Sequence, residues 1–144
     1  MDFDSASYCA ARLRLCADLL SHAARIAQPH LNEADFRSYS LQIGNAMGEI
    51  GTSLLFPIYK CHPELDPGLG RGTDASKGVI SMADEASRTL TESVNLIIER
   101  VRTELLEVSK AVQDRGDPRE AAGFAQRLET VLGLVGEVRV PATK

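Results

Sequence analysis

Apolar residues recur along this chain at steps of three and four, and the stretches where they do so predict four helices. In residues 5–28, Cys9, Leu13, Cys16, Leu20, Ala23 and Ala27 alternate steps of four and three and so share one stripe of a helix. Leu15, Leu19 and Ile26 lie beside that stripe and widen the face to be buried. Asp4 or Ser5 can accept from the free amides of the first turn. Pro29 stops the helix, because its ring cannot continue the hydrogen-bond ladder.

The second segment covers residues 32–59. Asn32 is placed as its N-cap, and Glu33 and Asp35 sit at the positive end of the helix dipole. Phe36, Ile43, Met47, Ile50 and Leu54 form its stripe, and Pro57 is expected either to kink it or to end it a turn early. A loop rich in Pro and Gly follows, through residues 61–74. The third segment, residues 75–115, carries Leu90, Val94, Ile97, Val101, Leu105, Val108 and Val112 on one face, and Gly116 can close it. In the fourth, residues 117–138, Asp117 caps, Pro118 takes the first helical position and Glu120 the third, ahead of buried Phe124, Leu128, Val131, Val135 and Val138. Residues 140–144 are expected to fray.

No alternation of period two is long enough to compete, so the fold expected is all-α: one domain over residues 1–144, an antiparallel four-helix bundle in up-down-up-down order, as short connections favour. One mismatch stands out. The third segment would be about 60 Å long and the fourth about 30 Å. Either the third breaks near Gly78, or a second copy of the chain covers its overhang.

Composition sharpens this picture. Hydrophobic residues make up 44% and charged residues 25%, which suits a globular chain, while aromatics are 5% with no Trp, so the core is left to Leu, Ile, Val and Ala. The net charge of −4 argues against nucleic acid as a partner. Arg88, Arg100, Arg102, Lys110 and Arg115 are interleaved with Glu92, Glu99, Glu104 and Glu107, the pattern of a solvated, salt-bridged helix face rather than a phosphate track. Cys9, Cys16 and Cys61 are an odd set without a disulfide spacing, and Met1-Asp2-Phe3-Asp4 has neither the basic nor the apolar part of a signal peptide. A reducing, cytoplasmic setting is the expectation.

The second segment has the most unusual surface. Between residues 38 and 59 its only charged residue is Glu49. Ser38, Gln42, Asn45, Glu49 and Thr52 form a polar row, and Gly44, Gly48 and Gly51 lie on the other flank. A glycine inside a helix costs up to about 1 kcal/mol relative to alanine, so these predict a neighbouring backbone packed close, such as the Ala-rich side of the first helix. The polar row can instead meet a second copy of the chain, or line a small-molecule site around Asn45 and Glu49. A membrane span is disfavoured by Gln42, Asn45 and Glu49 recurring along the segment.

Signals of chemistry are weak. Cys61, His62, Glu64 and Asp66 cluster, but zinc takes about four ligands and no second Cys/His pair appears; Pro63 and Pro67 fit a plain turn. The Glu-x-x-His of di-iron bundles is missing, since Leu19 stands three residues before His22 and both His30 and His62 fall in connections. His22, followed by Ala23, Ala24 and Arg25, could be written as a phosphorelay histidine, but a histidine at the edge of a buried face is the simpler reading. Residues 68–78 look like a phosphate loop by eye, yet Lys77 follows Ser76 rather than Gly and no strand precedes. No cysteine has a partner base evident in the sequence. The function expected is therefore a helical interaction or scaffolding module that self-associates as a homodimer and can also meet another protein. No catalytic residue, cofactor or metal is assigned, and the balance is against an enzyme. The alternative is a small-molecule binder or enzyme with an interhelical pocket. In both, Gln42, Asn45, Glu49 and Thr52 are the residues to watch.

Overall fold

Each helix begins where a side chain can hold the amides that the first turn leaves unpaired. A computed structural model describes residues 2–66, 89–115 and 117–138. Helix α1 (Phe3–Ala27) is capped by Asp2, which accepts from the Ser5 amide at 2.7 Å, so it starts earlier than a cap at Asp4 or Ser5 would place it. Gln28, Pro29 and His30 form a 3₁₀ turn that ends it. Asn32 caps α2 (Glu33–Glu49), accepting from the Asp35 amide at 2.8 Å. Asp117 caps α5 (Pro118–Glu137), with Pro118 in its first turn. Helix α4 (Leu90–Arg115) lies between. Gly116, residues 67–88 and residues 139–144 lie outside the described residues, so the closing glycine, the early part of the expected third helix with its overhang, and the fraying tail lie outside them too.

Pro57 neither stops nor sharply breaks the second helix. The chain passes from α2 through a π-helical turn (Ile50–Leu55) into α3 (Phe56–Cys61), with Pro57 in the first turn of α3. The core row explains the widened turn. Ala46, Ile50, Leu54 and Ile58 are buried at successive steps of four, which would wind off the face of a 3.6-residue helix. A turn with one extra residue holds them on it, and the Phe56 amide bonds back to the Gly51 carbonyl.

The core is one continuous cluster. The expected stripes of α1, α4 and α5 are buried within it: Cys9, Leu13, Cys16, Leu20, Ala23 and Ala27; Val94, Ile97, Val101, Leu105, Val108 and Val112; Phe124, Leu128, Val131, Val135 and Val138. Leu90 packs on its edge. In α2 the row is shifted. Tyr39 and Ala46 are buried, and Phe36 and Met47 pack only partly against the core. Tyr39 can be buried because its hydroxyl donates to the Ala23 carbonyl at 3.1 Å.

Helix directions follow from cross-helix contacts. Arg12 pairs with Glu104 and the Cys16 thiol donates to the Val101 carbonyl at 3.7 Å, so α4 runs antiparallel to α1. Tyr39 against Ala23, with Tyr59 against Arg14, makes α2–α3 antiparallel to α1 as well. Helix α1 packs most extensively on α4, and α5 closes the ring between α4 and α2. Every neighbouring pair is antiparallel, as expected of this bundle, but the order is up-down-down-up. The up-down-up-down order is corrected here because it rested on short connections. Only the links from α1 to α2 and from α4 to α5 are short, whereas α3 ends beside the start of α1 and α4 begins toward its finish.

Glu104 is the buried charge of the α1–α4 contact, only 5% exposed. One of its oxygens accepts from Arg12 and the other from Arg100 Nε at 3.1 Å, so the carboxylate is taken out of water with both oxygens occupied. Arg12 also lies over the Tyr8 ring, 4.4 Å from its centroid.

Burial pushes the Cys16 thiol from 9.0 to about 12, helped by the nearby Glu104 charge, and burial alone pushes the Tyr39 phenol from 10.0 to about 12. The unfolded chain therefore ionises these groups first. Their contribution to stability is fully present below about pH 9 and is lost as pH rises from about 9 to about 12. Tyr39→Phe should lower stability at pH 7 by about 1 kcal/mol through the lost hydrogen bond. The gap to wild type should then narrow above about pH 10, as urea unfolding at both pH values would show. A constant gap would mean that the phenol ionises as it would in water.

Candidate interaction face

The α2 surface turned away from the core is built from a succession of small and uncharged side chains. Leu41, Gly44, Asn45, Gly48, Thr52 and Phe56 follow one another at helical steps, and each is exposed. Leu41 is 65% exposed and Phe56 is 62% exposed, so an apolar side chain projects at either end of a low, glycine-lined stretch. The wide turn keeps Phe56 in line with Leu41, just as it keeps Ile58 in line with the core row opposite.

The four residues singled out from the sequence lie along this face or its margin. Asn45 and Thr52 are exposed, and Gln42 and Glu49 are half-buried. The Thr52 hydroxyl donates to the Gly48 carbonyl of its own helix at 2.6 Å, and the Glu49 carboxylate accepts from the Ser53 hydroxyl. Gln42 also has a partner. Thr52 and Glu49 are therefore hydrogen-bonded to residues of their own helical stretch.

The glycines depart from expectation. Among the described residues a Cβ added at Gly44, Gly48 or Gly51 would have nothing within 4 Å, so none of their backbone packs close to these glycines. Ala23 of α1 meets Tyr39 of α2 instead, through the Tyr39 hydroxyl. Other exposed apolar residues differ in setting. Leu96 and Leu106 on α4 stand among Glu99, Arg102 and Glu107, which keep that surface wet.

The remaining sequence signals are placed as follows. Cys61 is exposed, His62 Nδ1 lies 3.8 Å from the Glu64 carboxylate, and Asp66 is half-buried. Among the described residues no three His, Cys, Asp or Glu side chains come together as a metal site would need. Cys9 and Cys16 are buried, and among the described residues the cysteines are free thiols. His22 is half-buried on α1 and has a partner. The phosphate-loop look-alike lies outside the described residues. No helix among them is long and apolar enough to cross a membrane.

One juxtaposition was missed from the sequence. Ala6 of α1, Pro57, Ile58 and Cys61 of α3, His62, and Glu120, Phe124 and Arg127 of α5 line a cavity of about 200 Å³. Its residues come from three distant segments; the sequence marked Cys61 and His62 as a metal-like cluster, Pro57 and Glu120 as helix punctuation and Phe124 as core, and nothing in it joined them. Comparison with protein-family models, with curated proteins and with solved structures finds no match for this chain.

With open space at Gly48, Gly48→Ala should raise the stability of the dilute protein by up to about 1 kcal/mol, through helix propensity alone. Chemical denaturation would measure it. A loss of stability would show that a neighbour occupies the space after all.

Proposed function

We propose that this chain is a helical interaction module that forms a homodimer through the outer face of α2. The observation that carries the proposal is the exposed run from Leu41 to Phe56, whose only charge is the half-buried Glu49 at its margin and which has bare glycine in its middle. Ordinary exposed helix faces carry Lys and Glu, and contiguous uncharged surface with projecting apolar groups marks a contact site.

A second copy is the occupant that fits. Gly48 lies midway between Leu41 and Phe56 in the sequence. An antiparallel two-fold pairing about Gly48 would therefore set each Leu41 near the partner's Phe56 and leave the glycines facing one another, a self-complementary arrangement. Glycines four residues apart let two helix backbones approach closely. Thr52 and Glu49 carry their own hydrogen bonds into such a contact, and the Asn45 amide can supply a bond across it. The proposal includes cytoplasmic residence, which the free thiols of Cys9, Cys16 and Cys61 suit, and scaffolding of a further protein by the dimer.

Gly48→Arg is the direct test, because the monomer has room for the new side chain and should keep its helicity. Buried against a partner helix, the unpaired guanidinium would cost several kcal/mol of association. Sedimentation should show a wild-type dimer and a monomeric, folded variant. A wild-type chain that stays monomeric at high concentration, or a variant that still dimerises, would contradict the proposal.

A further inference from the structure

The cavity between α1, α3 and the first turns of α5 is separate from the α2 face in its chemistry. Its walls are largely apolar: Ala6, Pro57, Ile58 and Phe124. Two of them, Pro57 and Ile58, come directly after the π-helical turn. Its polar lining is Cys61, His62, Glu120 and Arg127. His62 is already engaged, with Glu64 near its Nδ1 and the Phe3 ring edge-on at 5.9 Å, and Glu120 also has a partner. Arg127 is different. Its Nε is buried and has no hydrogen-bond partner among the described residues, and its guanidinium lies 5.8 Å from the centroid of the Phe124 ring.

A buried guanidinium donor without an acceptor is costly, and a ligand that brings an acceptor removes that cost. We propose that this cavity binds a small apolar carboxylate, an acyl or aryl acid, with its carboxylate on Arg127 and its apolar body against Ala6, Pro57, Ile58 and Phe124. The planar edge of a guanidinium matches the two oxygens of a carboxylate. The cavity, at about 200 Å³, falls below the range of drug-sized ligand sites, which limits the acid to a short chain or one ring. A phosphorylated metabolite fits poorly, because Arg127 would face a dianion with Glu120 also in the lining.

The test uses the full chain with butanoate, hexanoate, octanoate and benzoate, and with hexanamide as the uncharged match to hexanoate. Calorimetry should show affinity rising about fourfold per methylene until the cavity is full. Hexanoate should bind at least roughly tenfold more tightly than hexanamide. Saturating acid should also slow alkylation of the Cys61 thiol, which lies on the lining. Arg127→Met should lose the preference for acid over amide, and Ala6→Leu should weaken every member of the series. The acid–amide comparison on the wild-type chain stands even if a variant fails to fold. No binding by any of the acids, equal binding of acid and amide, or an unchanged preference in a folded Arg127→Met variant would overturn the proposal.

Discussion

Along the contact between α1 and α4, Arg12 meets the buried Glu104 and the Cys16 thiol meets the Val101 carbonyl. Cys9, Cys16, Ala23 and Ala27 are buried in the same cluster as Val94, Ile97, Val101, Leu105 and Val108, and this is the most extensive helix pairing in the molecule. Glu104 then fixes the register, because a buried carboxylate must keep its donors and Arg12 reaches it at only one level of α1. The antiparallel sense of α1 and α4 makes α2 and α4 run the same way. The order of the fold thus follows from one packed and ionically pinned seam.

Helix α2 is held differently. It packs on α1 and α5 through Tyr39, Ile43, Ala46, Ile50 and Leu54, a narrow row kept on one side by the π-helical turn. The opposite side is left to water or to a partner. Three glycines weaken the helix without improving its packing against the other described residues, a local cost that those residues do not explain. A surface selected for close approach explains it, and so the face most weakly used inside the monomer becomes the one proposed to work outside it.

The legibility of the fold in the sequence varied with the kind of information each feature carries. The stripes of α1, α4 and α5 repeat at three and four, so position alone identified Leu13, Leu105, Leu128 and their neighbours as core. Tyr39 was not found because a phenol is buried only when it meets an acceptor, and the Ala23 carbonyl comes from another helix. The π-helical turn had a signal that was not used, the repeated steps of four through Ala46, Ile50, Leu54 and Ile58. Gly44, Gly48 and Gly51 were noticed but assigned the wrong neighbour, since a missing side chain is equally compatible with a tight contact and an open face. The order of the helices was read from the shortness of connections, whereas their directions are set by contacts between helices such as Arg12 with Glu104, which periodicity does not carry. The cavity by Arg127 brings together residues more than a hundred positions apart, which periodicity cannot express.

The outer face of α2 as the meeting point of two copies is the central claim, and distances between copies address it without altering the proposed contact by a charge. With Cys61 replaced by Ser and the other two cysteines buried, Asn45→Cys gives a single exposed position for a spin label at the middle of the face. The same change at Arg102 labels the exposed, charged surface of α4. Dipolar spectroscopy should find a short, narrow intermolecular distance at position 45 and a long one at position 102. A short distance at 102, or no intermolecular coupling at 45 in concentrated protein, would contradict the account.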